Sequence, residues 1–290
     1  MARIKCYLIN CTNKNFIMSL FCYSQNQIVP IEAAGVPVTD LLVQRGYGIF
    51  DFLRVAGNQP LFIDAHLDRF FHSAEIMRLP IPQTREEIKK IVQELIAKNK
   101  IPYSGIRMII AGGDAPDGYT IEHPHLIIIQ APLAEPTLTL PETGIKLATY
   151  NYQRQIPAVK TTDYLMAVWL QPWMKEQGAD DILYHNDGFI RECPRSNFFF
   201  VTDQNVLVTT QEQMLKGITR KNIIEVCNSN GIPVEERIIS IEELKTAKEA
   251  FITSSTKRII PVHQIDDFAY MLNRPDSVAK KVYDLLVGLE

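Results

Sequence analysis

No apolar run in this chain approaches the roughly 20 residues that a membrane-crossing helix requires, so a bilayer is not an expected partner. Cysteine is sparse. The five present, Cys6, Cys11, Cys22, Cys193 and Cys227, are odd in number, widely spread and without a CxxC pair, which speaks against a disulfide framework or a zinc site and for a reducing, cytoplasmic location. An excess of either charge is also missing: 30 Lys and Arg stand against 33 Asp and Glu, so nucleic acid and anionic lipid are not expected partners. Internal repeats and low-complexity segments are absent, and the start "MARIKCYLINCTNKNFIMSLF" lacks the apolar stretch and small-residue cleavage site of a secretory signal. Regular structure is expected only after Met18, which makes residues 1–17 a candidate upstream extension. What the chain has is 290 residues with 46% hydrophobic content, enough for one large domain or two modest ones.

The pattern along the chain is α+β rather than a regular strand–helix alternation. "GYGIFDFLRVAGNQPLFI" reads as two strands turning at Gly57-Asn58. "DAHLDRFFHSAEIMRL" places Leu67, Phe70, Phe71, Ala74 and Met77 on one helical face, and Thr84 with Glu87 forms a capping-box pattern before a helix buried through Ile88, Ile91, Val92, Leu95 and Ile96. Strands "GIRMIIAG" and "HLIIIQA" follow. A Pro-rich connector then divides residues 18–135, a smaller N-terminal domain, from 136–290, a larger C-terminal one. In the second half, turn signals at Asn186-Asp187-Gly188 and Asp203-Gln204-Asn205 predict a three-strand meander over "DDILYHNDGFIRECPRSNFFFVTDQNVLVTT".

Three segments of that second half have chemical potential. In "RQIPAVKTTDYLMAVWL" a helix is expected from Thr161 or Thr162, whose hydroxyls cap it, to Gly178. Lys160 then sits at the helix's positive end, where the macrodipole disfavours an ammonium. The alternative is a lysine whose stem packs while its head reaches water. Glu192 lies among Phe189, Ile190 and Phe198, where a carboxylate needs a proton-bearing partner, or else it belongs to a solvated face with Arg191. "LKGITRKNIIEV" enters a helix with Thr219 available as cap and with amides at Ile218 and Thr219 suited to an anion, and "FITSSTKRIIP" adds a hydroxyl-rich turn. An ordinary capped surface helix is the alternative for the first of these.

Taken in order, "FIDAHLDRFFHSAE", "AVKTTDYL", "IRECPRSNFFFV", "LKGITR" and "ITSSTKRIIPV" resemble the fold-type IV pyridoxal 5′-phosphate (PLP) enzymes, the family of branched-chain aminotransferases, D-amino-acid aminotransferases and aminodeoxychorismate lyases. The resemblance runs from about Val38 to Val262. It implies a two-domain homodimer with PLP between the domains and Lys160 as the catalytic Schiff-base lysine. It also implies Glu192 on the pyridine nitrogen and Tyr164, one helical turn from Lys160, on the phenolate oxygen. The phosphate would be held by Arg69, by the amides of Ile218 and Thr219, and by Ser255. An amino acid and a 2-oxo acid are the implied substrates, with Phe50, Arg107, Arg195 and Thr256 as substrate-binding candidates.

Within the family the chain departs from each group. Ala111-Gly112-Gly113 stands where D-amino-acid enzymes carry a carboxylate-binding Thr-Arg-Gly, which argues against that activity, and Phe50-Asp51-Phe52 replaces the Phe-Glu-Gly of the branched-chain enzymes. Arg107 matches an arginine of the branched-chain group, whereas Glu192-Cys193 echoes the lyase. The expected activity is therefore a branched-chain-type aminotransferase, with a pyruvate-releasing lyase as the alternative and a catalytically degenerate PLP-binding protein behind both. Arg195, Lys257 and Arg258 occupy positions that are usually small or acidic in relatives. At least one of them is expected to meet a carboxylate in the cleft, unless Lys257 and Arg258 face solvent and Arg195 pairs with Asp51 or a partner-chain acid.

Overall fold

The structure is a computed structural model, and it describes residues 20–272 and 274–290. The possible extension over residues 1–17 lies outside the described residues. The first half forms a six-stranded sheet from β1 (Phe21–Ser24), β2 (Gln27–Pro30), β3 (Gly48–Ala56), β4 (Gln59–Pro60), β5 (Tyr103–Ala111) and β6 (His125–Pro132), in the order β2-β1-β6-β5-β3-β4. A short helix, α1 (Leu41–Arg45), leads into β3. Gly57 and Asn58, with φ of 55° and 67°, make the tight turn into β4 that the sequence signals. Two helices cover one face. In α2 (Ile63–Ile76) Leu67, Phe70 and Ala74 are buried, and α3 (Arg85–Asn99) starts with the Thr84/Glu87 capping box and buries Ile88, Val92, Leu95 and Ile96.

Because strand side chains alternate, β3 and β5 present two different faces. Ile49, Leu53 and Val55 join Ile106, Met108 and Ile110 in the core under α2 and α3. Phe50 and Phe52, opposite Ile109 and Arg107, line a cavity on the other side. The ring of Phe52 fills the space over Gly105, where a Cβ would come within 2.2 Å of it.

The second half forms a nine-stranded mixed sheet from β7 (Ile145–Asn151), β8 (Asp181–Asn186), β9 (Phe189–Ile190), β10 (Asn197–Val201), β11 (Leu207–Thr210), β12 (Val234–Arg237), β13 (Glu249–Ser254), β14 (Arg258–Ile265) and β15 (Phe268–Ala269). β10 is buried on both faces: Phe198 and Phe200 enter one core, whereas Phe199 and Val201 pack in another with residues of α6 (Ile218–Ser229) and α7 (Val278–Val287).

Two sequence expectations are corrected here. Both turns of the expected three-strand meander form, joining β8 to β9 and β10 to β11, but its middle strand is interrupted: Glu192, whose carbonyl accepts Tyr184 N at 2.9 Å, is the last residue bonded to β8, and after this break β10 pairs with β11 and β13. The single helix from Thr161 or Thr162 to Gly178 is instead two short ones, α4 (Leu165–Trp169) and α5 (Gln171–Glu176). Neither threonine caps α4. The hydroxyl of Thr162 reaches the carbonyls of Gly46 and Gly48 at 2.8 and 3.1 Å, and Asp163 Oδ1 accepts the Leu165 amide. Residues 160–162 run strand-like along the start of β3, where Phe50 N donates to Lys160 O (2.9 Å) and Thr162 N to Gly48 O (3.0 Å). Lys160 and Tyr164 therefore do not share a helix face. Thr162→Val, which keeps the shape and removes the hydroxyl, is expected to lower unfolding free energy by about 0.5–1.5 kcal/mol in urea titrations; an unchanged midpoint would show that this hydroxyl does not anchor the segment.

Candidate active site

Lys160 ends a compact loop that Arg154 organises. The Arg154 guanidinium donates Nη1 to Val159 O at 2.8 Å and Nη2 to Pro157 O, and the same group reaches across to Glu192 Oε1, with Nε at 2.9 Å and Nη2 at 2.8 Å. Glu192 Oε2 accepts the Leu215 amide at 3.1 Å. Glu192 thus pairs with Arg154, while Arg191 donates to Gln153. Burial raises the Glu192 carboxyl above its usual range, and Arg154, the Leu215 amide and Lys160 oppose that rise. Arg154 is a site residue to which the sequence reading gave no role.

A second buried pair lies on the far side of Lys160. Asp51 faces α2, where Arg69 grips it with Nε (2.8 Å) and Nη2 (2.8 Å) while His66 Nδ1 lies 2.7 Å from its Oδ1. Burial acts to raise the Asp51 carboxyl, but Arg69 and His66 prevail and hold it well below the carboxylate range. Burial also lowers His66, so a neutral imidazole donates Nδ1–H to Asp51. The remaining Arg69 nitrogen, Nη1, reaches Lys216 O at 3.3 Å and links the N-terminal sheet's helix to the loop before α6.

Lys160 Nζ lies 4.6 Å from the centroid of the Phe50 ring, which also neighbours Arg107 at 5.5 Å and Tyr164 at 5.9 Å. The amine is enclosed by protein yet remains partly accessible from the cavity. Desolvation, with added repulsion from Arg69, lowers its pKa to about 8 against the pull of Asp51 and Glu192. The lysine is depressed by its enclosure, not by the helix end that the sequence pattern had suggested.

α6 supplies the anion-binding face. Its N-cap is Gly217 with no side-chain cap, so Thr219 does not cap it as expected, and Ile218 and Thr219 carry first-turn amides without helical partners. Gly217 is required by its surroundings: a Cβ there would lie 2.1 Å from Asn197 Oδ1, and Asn197 Nδ2 holds Leu215 O at 2.7 Å. Ser255 and Thr256, in the turn between β13 and β14, line the same cavity of about 580 Å³.

The structure brings all the candidates to this one cavity: Lys160, Glu192, Tyr164 and Arg69, then Ile218, Thr219, Ser255 and Thr256, and finally Phe50, Arg107 and Arg195. Lys257 and Arg258 are not among its lining residues. Lys257 Nζ stands 3.8 Å from Asp181, and buried Arg258 is paired with Glu290. Asp51 is already paired, which removes it as a partner for Arg195. The Gly112 position that bears arginine in D-amino-acid enzymes has no room for a side chain, since a Cβ would lie 2.8 Å from Leu41 Cβ and Tyr47 O.

An enclosed amine of lowered pKa, a carboxylate with one oxygen still able to accept, and uncapped helix amides beside hydroxyls and an arginine fit PLP. The class IV aminotransferase family model matches residues 48–265. A Methanocaldococcus jannaschii protein assigned as a branched-chain-amino-acid aminotransferase is 30% identical over 271 residues, 90% of this chain and 93% of its own. A D-alanine aminotransferase of Bacillus licheniformis is 27% identical, covering 87% and 90%. Among solved structures, a Legionella pneumophila protein assigned as 4-amino-4-deoxychorismate lyase superposes with a TM-score of 0.81 at 25% identity, covering 89% and 96%.

The Lys160 amine has a consequence for stability. Its pKa lies lower in the fold than in the unfolded chain, so below about pH 8 the folded state bears the full cost of an enclosed ammonium, and stability rises as pH climbs from about 8 toward 10.5. Lys160→Met is therefore expected to raise the unfolding midpoint of the cofactor-free protein at pH 7, with the gain shrinking by pH 10. A gain that does not depend on pH would contradict the lowered pKa. The chain belongs to the class IV aminotransferases, the PLP-dependent enzymes of fold type IV.

Proposed function

We propose that the chain is an amino-acid aminotransferase of branched-chain type that exchanges an amino group between an amino acid and a 2-oxo acid. The observation that carries this reading is that the Lys160 amine, on which the Asp51–Arg69 and Glu192–Arg154 pairs both act, shares one cavity with the uncapped start of α6. When bound, PLP supplies a carbonyl that takes up the amine and a protonated ring that draws electrons from the substrate Cα. Lys160 Nζ moves the proton between that Cα and the C4′ position, which its lowered pKa permits near neutrality. The Glu192 carboxylate would hold the ring N–H, with Arg154 favouring its ionised form. Tyr164 donates to the phenolate oxygen. The Arg69 guanidinium, positioned by Asp51, binds the phosphate together with the Ile218 and Thr219 amides and the Ser255 hydroxyl.

The same reading includes a homodimer in the cytoplasm and a domain division near residue 135. For the dimer, exposed Val43 on α1, Tyr119, and Leu165, Val168 and Trp169 on α4 flank one edge, where Thr162 ties the start of α4 to the end of α1 and Arg45 Nε binds Gly118 O. For the location, Cys22, Cys193 and Cys227 are free thiols. The two sheets support the division.

A lyase that releases pyruvate is the second reading, favoured by the Legionella pneumophila structure. The test is to load the chain with PLP, fix the cofactor with borohydride, map the labelled peptide and follow turnover. The pyridoxyl group is expected on Lys160. Glu192→Gln should retain PLP and lose most turnover, and keto acid beyond one equivalent per bound cofactor should form only when an amino acceptor is present. A label on Lys257, or full turnover by Glu192→Gln, would refute the assigned roles; pyruvate formed over many turnovers without an acceptor would establish the lyase.

A further inference from the structure

Two guanidiniums on the cavity wall, Arg107 and Arg195, form no ion pair among the described residues. Arg195 stands in the turn closed by Cys193 N on Ser196 O (2.8 Å) and Ser196 N on Cys193 O (3.3 Å), so the break in the sheet that places Glu192 also presents Arg195 to the cavity. It is exposed and forms no hydrogen bond or ion pair among the described residues. Arg107, on β5 across from Phe52, lies 5.5 Å from the centroid of the Phe50 ring and forms no hydrogen bond or ion pair among the described residues.

The buried acids around the cavity are engaged elsewhere. Asp51 is held by Arg69 and His66 and Glu192 by Arg154 and Leu215 N, which leaves Asp163, an exposed wall residue that accepts the first amide of α4 and forms no ion pair with either arginine. Arg107 shares the Phe50 ring with Tyr164, and burial raises the Tyr164 hydroxyl while Arg154, Arg195 and Arg107 act to lower it. Unpaired like charges sharing a cavity wall are costly until an anion joins them, and then each supplies charge-assisted hydrogen bonds in a planar fork suited to a carboxylate.

We propose that Arg195 is a specificity residue that binds a carboxylate of the amino-acid substrate on the Tyr164 side of the cavity, with Arg107 beside it. This rests on the aminotransferase reading for the substrate class. The carboxylate is either the α-carboxylate or that of an acidic side chain.

The test uses the PLP-loaded full chain, its Arg195→Gln variant and its Arg195→Lys variant. kcat and KM are measured separately for alanine, leucine and glutamate, each as both enantiomers. Butyrate and glutarate serve as unreactive competitors whose binding is read from the visible absorbance of the bound cofactor. Arg195→Gln is expected to raise KM by about ten- to a hundred-fold while changing kcat less, with partial recovery in Arg195→Lys. A loss confined to glutamate and glutarate assigns Arg195 to the side-chain carboxylate, and an equal loss for every amino acid and both competitors assigns it to the α-carboxylate. Unchanged KM and competitor affinity overturn the proposal, as does a change in dimer dissociation alone, which would mean that Arg195 serves a partner-chain acid. If the wild type exchanges no amino group yet loses glutarate binding on Arg195→Gln, the aminotransferase reading fails and the carboxylate site stands.

Discussion

The guanidinium of Arg154 is the interaction on which the site depends. It holds the carbonyls of Pro157 and Val159, and so shapes the loop that ends at Lys160, while two of its nitrogens hold the Glu192 carboxylate. A buried carboxylate without such a partner would be protonated and lose its charge. One arginine thus shapes the loop that carries the amine and opposes the rise that burial imposes on the carboxyl. Asp51 and Arg69 balance the opposite side, so Lys160 is enclosed by compensated charges, and desolvation becomes the largest influence on its proton.

The two-residue period of β3 divides the labour within a single strand. Asp51 points under α2, where it orients Arg69, and its neighbours Phe50 and Phe52 form the cavity wall. Chemistry and packing are separated by one residue, so a register slip would put the carboxylate in the cavity and the rings against the helix. Phe52 further depends on Gly105 of β5, the residue that leaves room for its ring.

Where signals are local, the sequence was readable. The Gly57-Asn58 turn, the apolar face of α2 and the capping box of α3 depend on residues within one or two turns of each other, and they stand as expected. The expected helix at Thr161 or Thr162 failed because a hydroxyl before an apolar run has the form of a helix cap, while here Thr162 is engaged by carbonyls more than a hundred residues away. Both turns of the expected meander form, but turn residues carry no sign that the middle strand breaks after Glu192 or that β10 also pairs with distant β13. Motif order assembled the candidate site residue by residue, but Arg154 carried no local signal, since its acidic partner is 38 positions further on. Arg258 illustrates the converse. Its place beside a cavity-lining turn gave it apparent importance, yet its side chain is buried against Glu290 and Thr137.

The account stands on an enclosed lysine whose proton is held weakly because the charges around it are already paired. The most direct measurement is the pH dependence of Lys160 modification by an amine-selective reagent in the cofactor-free chain, read by peptide mass. The account predicts a midpoint near pH 8 that moves upward when Arg69 is replaced by Gln, because a repelling charge is removed. A midpoint above pH 10, or one that ignores the loss of Arg69, would contradict it.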